Sequence, residues 1–149
     1  GWIFALNGLL IAFFEMVIIN SLSSKKNELS YISFGLVLLG LSFVVLNLPI
    51  PNALSLGILS CLLFTAGEIF TMPFMMSFWM NRSNDSNRGQ YASLYTVAYS
   101  SAHITGPFIG GFIADHFGFY YLWVGIFLFC LMNAFIFNLL RQNISTITR

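Results

Sequence analysis

Three ionisable side chains stand inside apolar stretches, where a charge is hardest to keep: Glu15, Glu68 and His103. Glu68 lies near the middle of one such stretch and His103 in the middle of the next. A carboxylate in hydrocarbon is costly, and no Lys or Arg lies within these stretches to neutralise it. Glu68 must therefore meet water, find a partner beyond this sequence or hold a proton, which is the behaviour of a protonation or substrate-contact site. Helical spacing puts Cys61, Phe64, Thr65, Met72, Met75 and Trp79 on or near its face, so thioethers and aromatic rings would line such a site. A second reading stands beside this one. A protonated carboxyl bonded to a neighbouring helix would act as structural glue.

Glu15 lies about two helical turns inside the polar run 23–28. It shares the functional reading of Glu68, and a snorkelling or capping role near the headgroups is equally open to it. Asn7, two turns earlier, extends a polar stripe on roughly the same face. His103 closes the series Tyr95, Tyr99, His103, spaced by four, which with Thr96 and Ser100 forms a polar aromatic face. It reads either as a cavity or proton-coupling group or as a satisfied core histidine. About a hundred degrees around that helix, Ala98, Ala102, Gly106, Gly110 and Ala114 form a seam of small residues. Such a seam lets another helix approach closely. Pro73 and Pro107 mark expected kinks; Pro73 has no N–H to give to the Ile69 carbonyl.

The elements that carry these residues follow from composition. The chain is 58% hydrophobic and 7% charged, against roughly 25% charged residues in a soluble domain. In 149 residues that much apolar surface needs lipid as its solvent. Five segments reach the length of about 20 residues that a bilayer asks for. They lie near 2–21, 31–48, 53–80, 89–114 and 119–140, and are numbered α1 to α5. The fold class expected is therefore an all-α integral membrane bundle of five transmembrane helices in one domain, 1–149. The breaks have physical causes: the polar run 23–28, Pro49-Ile50-Pro51, the solvated turn 81–89 and Asp115-His116-Phe117-Gly118.

Charge placement gives an orientation. Lys25 and Lys26 lie between α1 and α2, Arg82 and Arg88 between α3 and α4, and Arg141 and Arg149 after α5. All six basic residues fall on one side, which the positive-inside rule makes cytoplasmic. The first residue then faces out, and the tail 141–149 is cytoplasmic. Phe117, Phe119, Tyr120, Tyr121 and Trp123 suit the outer interface. The polar residues fall mostly on α1, α3 and α4, so these should line something wet or face other protein. α2 and α5 should face lipid over much of their surface. Cys61 and Cys130 lack metal-ligand spacing and read as packing residues. No cofactor, metal or nucleic-acid partner is expected. The chain opens on Gly1 without a basic leader, and reads as a piece of a longer membrane protein.

Gly67-Glu68, Asn87-Arg88-Gly89-Gln90-Tyr91, Gly106-Pro107-Phe108-Ile109-Gly110-Gly111, Asp115-His116-Phe117-Gly118, Trp123 and Asn7-Gly8 occur in an order that resembles the C-terminal part of a major facilitator superfamily transporter. The drug/proton antiporter branch is the nearest likeness. The resemblance implies that α1 to α5 match the family's eighth to twelfth helices. It implies that α1, α3 and α4 border a central cavity, that α2 and α5 are peripheral, and that the α4 seam packs near an N-terminal half absent here. The implied activity is proton-coupled efflux of small amphipathic molecules by alternating access, in a bacterial inner membrane. Two departures weaken antiport relative to transport. The run 21–26 lacks the Gly and Asp of the usual cytoplasmic gating motif, and GPFIGG falls at the eleventh-helix position instead of the fifth. A sugar or metabolite symporter of the same superfamily and a non-transporting scaffold or transporter remnant are the alternatives. An enzyme is not expected, because neither a Gly-x-Ser-x-Gly turn nor a metal-ligand set accompanies Ser100, Ser101 and His103.

Overall fold

The computed structural model describes residues 1–22 and 28–147. Among them are five α-helices, α1 Trp2–Leu22, α2 Glu28–Val44, α3 Ala53–Met80, α4 Arg88–Phe117 and α5 Phe119–Ile147. A 3-10 turn at Val45–Asn47 ends α2, and no strand occurs among the described residues. Lys25, Lys26 and Arg149, which carry half of the orientation argument, lie outside the described residues.

Four of the five helices, α1, α2, α3 and α5, are both long and apolar enough to cross a membrane. α4, at 30 residues, is long enough to span and is less apolar than the other four. Its Ser, Thr, Tyr, His and Gly residues dilute the hydrocarbon character that the other helices keep. That composition suits a helix with one side away from lipid.

Boundaries differ where a side chain supplies a reason. α2 begins at Glu28 and not near 31, because the Glu28 carboxylate suits a helix N-terminus and is held there. It accepts hydrogen bonds from Ser77 Oγ at 2.6 Å and Asn81 Nδ2 at 3.3 Å, tying the start of α2 to the end of α3. α3 starts after Asn52, whose Oδ1 accepts from the N–H groups of Leu54 and Ser55. α4 runs on to Phe117 and stops at Gly118, whose φ of 88° favours glycine. α5 continues to Ile147, through residues expected to form a tail. Arg141 of this extension donates to Ser30 Oγ of α2. Pro73 and Pro107 both lie inside continuous helices.

α2 is the hub of the bundle: its most extensive contacts are with α3 and α5. This corrects the picture of α2 as largely lipid-facing. Two glycines explain how α3 comes so close. A Cβ on Gly35 would stand 2.8 Å from the Gly67 carbonyl oxygen, and one on Gly67 would stand 2.9 Å from that of Gly35. The two backbones therefore touch, the close approach that small residues permit in membranes. Gly40 does the same for α5, where a Cβ would meet Phe127 and Cys130 at 2.9 and 3.0 Å. Near the start of α2, Leu29, Ile32 and Phe74 form a buried cluster, with the Tyr31 ring 4.9 Å from Phe74. α1 packs on α3, and α4 packs on α5 and touches α3. The α3–α4 turn is fastened by Trp79, whose Nε1 donates to the Tyr91 carbonyl at 2.9 Å while the rings lie 5.2 Å apart. Trp79→Phe is expected to lose that bond and keep the ring contact, lowering stability by about 1 kcal/mol. A denaturation series on the full-length protein in detergent checks it.

Candidate functional site

Glu68 sits in the middle of α3 and is half-buried. Its partner is Asn7 of α1, whose Nδ2 donates to Oε2 at 3.2 Å. Asn7 is in turn held by Thr65, one turn before Glu68, whose hydroxyl donates to Asn7 Oδ1 at 2.6 Å. Thr65 is buried and also lies 2.8 Å from the Cys61 carbonyl, a second acceptor for the same proton. Three side chains from two helices thus form one chain of hydrogen bonds ending on a carboxylate. The physical cause is local. α3 places residues 61, 65 and 68 on one face, and α1 lays its polar stripe against that face. Glu15, on the same stripe, is half-buried.

Beside this cluster an apolar cavity of about 610 Å³ opens between α1, α2 and α3, lined by Trp2, Ile3, Asn7, Phe43, Cys61 and Phe64 among others. Phe64 and Phe43 meet edge to face at 5.9 Å, and Phe43 stacks on Trp123 at 5.5 Å. Cys61 Sγ donates to the Ile3 carbonyl at 3.5 Å. The soft lining expected around Glu68 is distributed differently here. Met72 is exposed, while Met75 packs against the Leu29, Ile32 and Phe74 cluster. Neither methionine lines the cavity.

His103 and Glu68 share no contact among the described residues. His103 lies exposed on α4 with Tyr99, the ring centroids 4.5 Å apart, and Tyr99 follows Tyr95 at 6.3 Å in a near-parallel stack. The spacing of four thus makes a continuous ladder of rings. The small-residue seam is open as well. Ala98, Ala102 and Gly106 are exposed, and a Cβ on Gly106 would meet nothing within 4 Å. Only at its end does the seam reach α5, where a Cβ on Gly110 would come 3.9 Å from Leu122. Large apolar side chains share the exposure, Ile104 at 76% and Phe108 at 78%.

The residues that sequence reasoning undervalued are Asn7, Thr65, Gly35 and Gly67. Asn7 has a sequence signal, its place on the stripe with Glu15, but not one that names Glu68 as its partner. Gly35 and Gly67 are single small residues whose pairing needs the two helices side by side.

The family model described as Major Facilitator Superfamily matches residues 1–146 of the chain. No curated protein and no solved structure matches it.

Proposed function

Since the chain belongs to the major facilitator superfamily of transmembrane transporters, we propose that it is the C-terminal part of a proton-coupled exporter of small amphipathic molecules, α1 to α5 standing as the eighth to twelfth helices. The observation that carries the proposal is Glu68, an acid in the middle of a membrane-spanning helix, bonded across to a second spanning helix. Intramembrane carboxyls of this kind mark ion and substrate pathways. The apolar cavity beside the cluster supports an amphipathic cargo, and its volume falls in the range of about 300–1,000 Å³ that small-molecule sites occupy.

The mechanism is alternating access, in which this half rocks against an N-terminal half about a site near the midplane. Glu68 takes a proton from one side and releases it to the other, and cargo occupancy alternates with the proton. Glu15 shares the same stripe and modulates the charge at Glu68. Tyr95, Tyr99 and His103 lie on α4, where a second half would enclose them as cavity wall. The exposed seam on α4 supports the same reading, because small residues bare of contacts are what a further helix packs on. The orientation follows from the basic residues, with the first residue outside and the tail in the cytoplasm of a bacterial cell.

The test is flux of the full-length gene product in proteoliposomes carrying an imposed pH gradient, with ethidium as an amphipathic probe. Probe movement that follows the gradient and collapses with a protonophore is expected; movement indifferent to the gradient overturns proton coupling. Gly106→Leu is expected to reduce that flux at least about tenfold by wedging the seam away from its partner. An unchanged rate would remove the seam from the interface between halves.

A further inference from the structure

Asn7 and Thr65 do more than anchor Glu68. An ionised carboxylate only accepts hydrogen bonds, a protonated one also donates, and a carboxamide offers both an acceptor and donors. In the arrangement observed, Thr65 donates to Asn7 Oδ1 at 2.6 Å and Asn7 Nδ2 donates to Glu68 Oε2 at 3.2 Å. This is the pattern that suits an ionised Glu68. The single hydroxyl proton of Thr65 also has the Cys61 carbonyl at 2.8 Å, an acceptor that this pattern leaves idle.

We infer that Asn7 and Thr65 form an invertible relay, which keeps Glu68 fully hydrogen-bonded in both of its protonation states. When Glu68 gains a proton, its O–H donates to Asn7 Oδ1 after the carboxamide turns over. The Asn7 NH₂ then donates to Thr65 Oγ1, and the Thr65 hydroxyl turns to the Cys61 carbonyl. No bond between α1 and α3 is lost, no other residue moves, and no buried group is left without a partner. Asn7 and Thr65 are positioning residues in this scheme, since the proton resides on Glu68. The inference rests on the reading of Glu68 as a protonation site.

The surroundings leave the exchange to these residues. α1 contributes Glu15, about two turns further along the stripe from Asn7, and α3 itself contributes Cys61. The ionisable groups of α2 are Glu28, held by Ser77 and Asn81, and Tyr31, packed on Phe74. α4 meets α3 through Tyr91 and Trp79, and its His103 rests on Tyr99.

The relay is tested by titrating the full-length protein in lipid and following the carbonyl band of protonated Glu68 by infrared difference against Glu68→Gln. Asn7→Leu is expected to displace the midpoint by about one pH unit, the tenfold change that losing one charge-assisted hydrogen bond brings, and Thr65→Val, which leaves Asn7 without its anchor, to displace it in the same direction by less. Thr65→Ser keeps the hydroxyl and should restore the wild-type midpoint. Two variants on different helices guard against one that fails to insert. Coincident midpoints in wild type, Asn7→Leu and Thr65→Val overturn the relay alone. A Thr65→Ser midpoint displaced as far as that of Thr65→Val does the same. A band absent at every pH shows that Glu68 does not titrate, and overturns the relay together with the proton-site reading.

Discussion

Glu68→Gln is expected to abolish proton-driven efflux by the full-length transporter while leaving its insertion and fold intact. Gln has nearly the same shape and its amide can still bond to Asn7, so the link between α1 and α3 survives. What disappears is the ability to exist in two charge states. A carrier that cannot change charge cannot couple cargo to a proton, because a ligand shifts an equilibrium only by its differential affinity for two states. Energised transport falls to background, and downhill exchange of cargo continues. The measurement is uptake into inverted vesicles with and without a pH gradient, at matched protein levels. A variant that pumps at the wild-type rate would place the proton elsewhere, with Glu15 the next acid on the stripe.

The second large effect is structural and lies one residue away. Gly67→Leu is expected to destabilise the full-length protein by roughly 3 kcal/mol, the upper part of the range for overpacking a filled interior. A Cβ there would stand 2.6 Å from Leu39 Cγ, 2.8 Å from the Leu39 nitrogen and 2.9 Å from the Gly35 carbonyl oxygen. Two of those three atoms are backbone of the central helix, and backbone inside a helix cannot rotate away. The helices must separate, which also displaces Glu68 relative to Asn7. Gly125→Leu serves as the control, since a Cβ on Gly125 meets nothing within 4 Å. A detergent melting curve that falls for Gly67→Leu and holds for Gly125→Leu is the expected pair. Equal melting temperatures would mean that the backbone contact is not a constraint.

Much of this architecture is legible in the chain, for reasons that differ residue by residue. Length and apolarity dictate helices, and Pro49, Pro51, Asn52 and Gly118 punctuate them, so all five elements are visible. The likeness to the major facilitator superfamily follows from ordered motifs, and the family match bears out the superfamily. Polarity misleads where a polar residue is held by a partner far along the chain. Glu28 reads as loop because it neighbours Lys25 and Lys26, yet Ser77 and Asn81, about 50 residues on, make it the first turn of a helix. The hub role of α2 is hidden for the opposite reason. A helix without charge reads as facing lipid, because lipid and the surface of a neighbouring helix are equally apolar. Single glycines such as Gly35 and Gly67 carry the distinction, and their meaning depends on register between two helices. At Glu68 the residue types are legible and their pairing is not. Asn7 and Thr65 are each an ordinary polar residue until the helices bring them together.

The direct backbone contact of Gly35 and Gly67 also bears on how the protein is made. A pair of helices joined by eight residues, 45–52, and already matched surface to surface can associate as soon as the second leaves the insertion machinery. α5 then closes on the other side of α2 through Gly40, Phe127 and Cys130. α1 precedes α2 in the chain but rests on α3, so its contact forms only once that later helix has arrived. Among these five helices the order of assembly is thus not the order of synthesis.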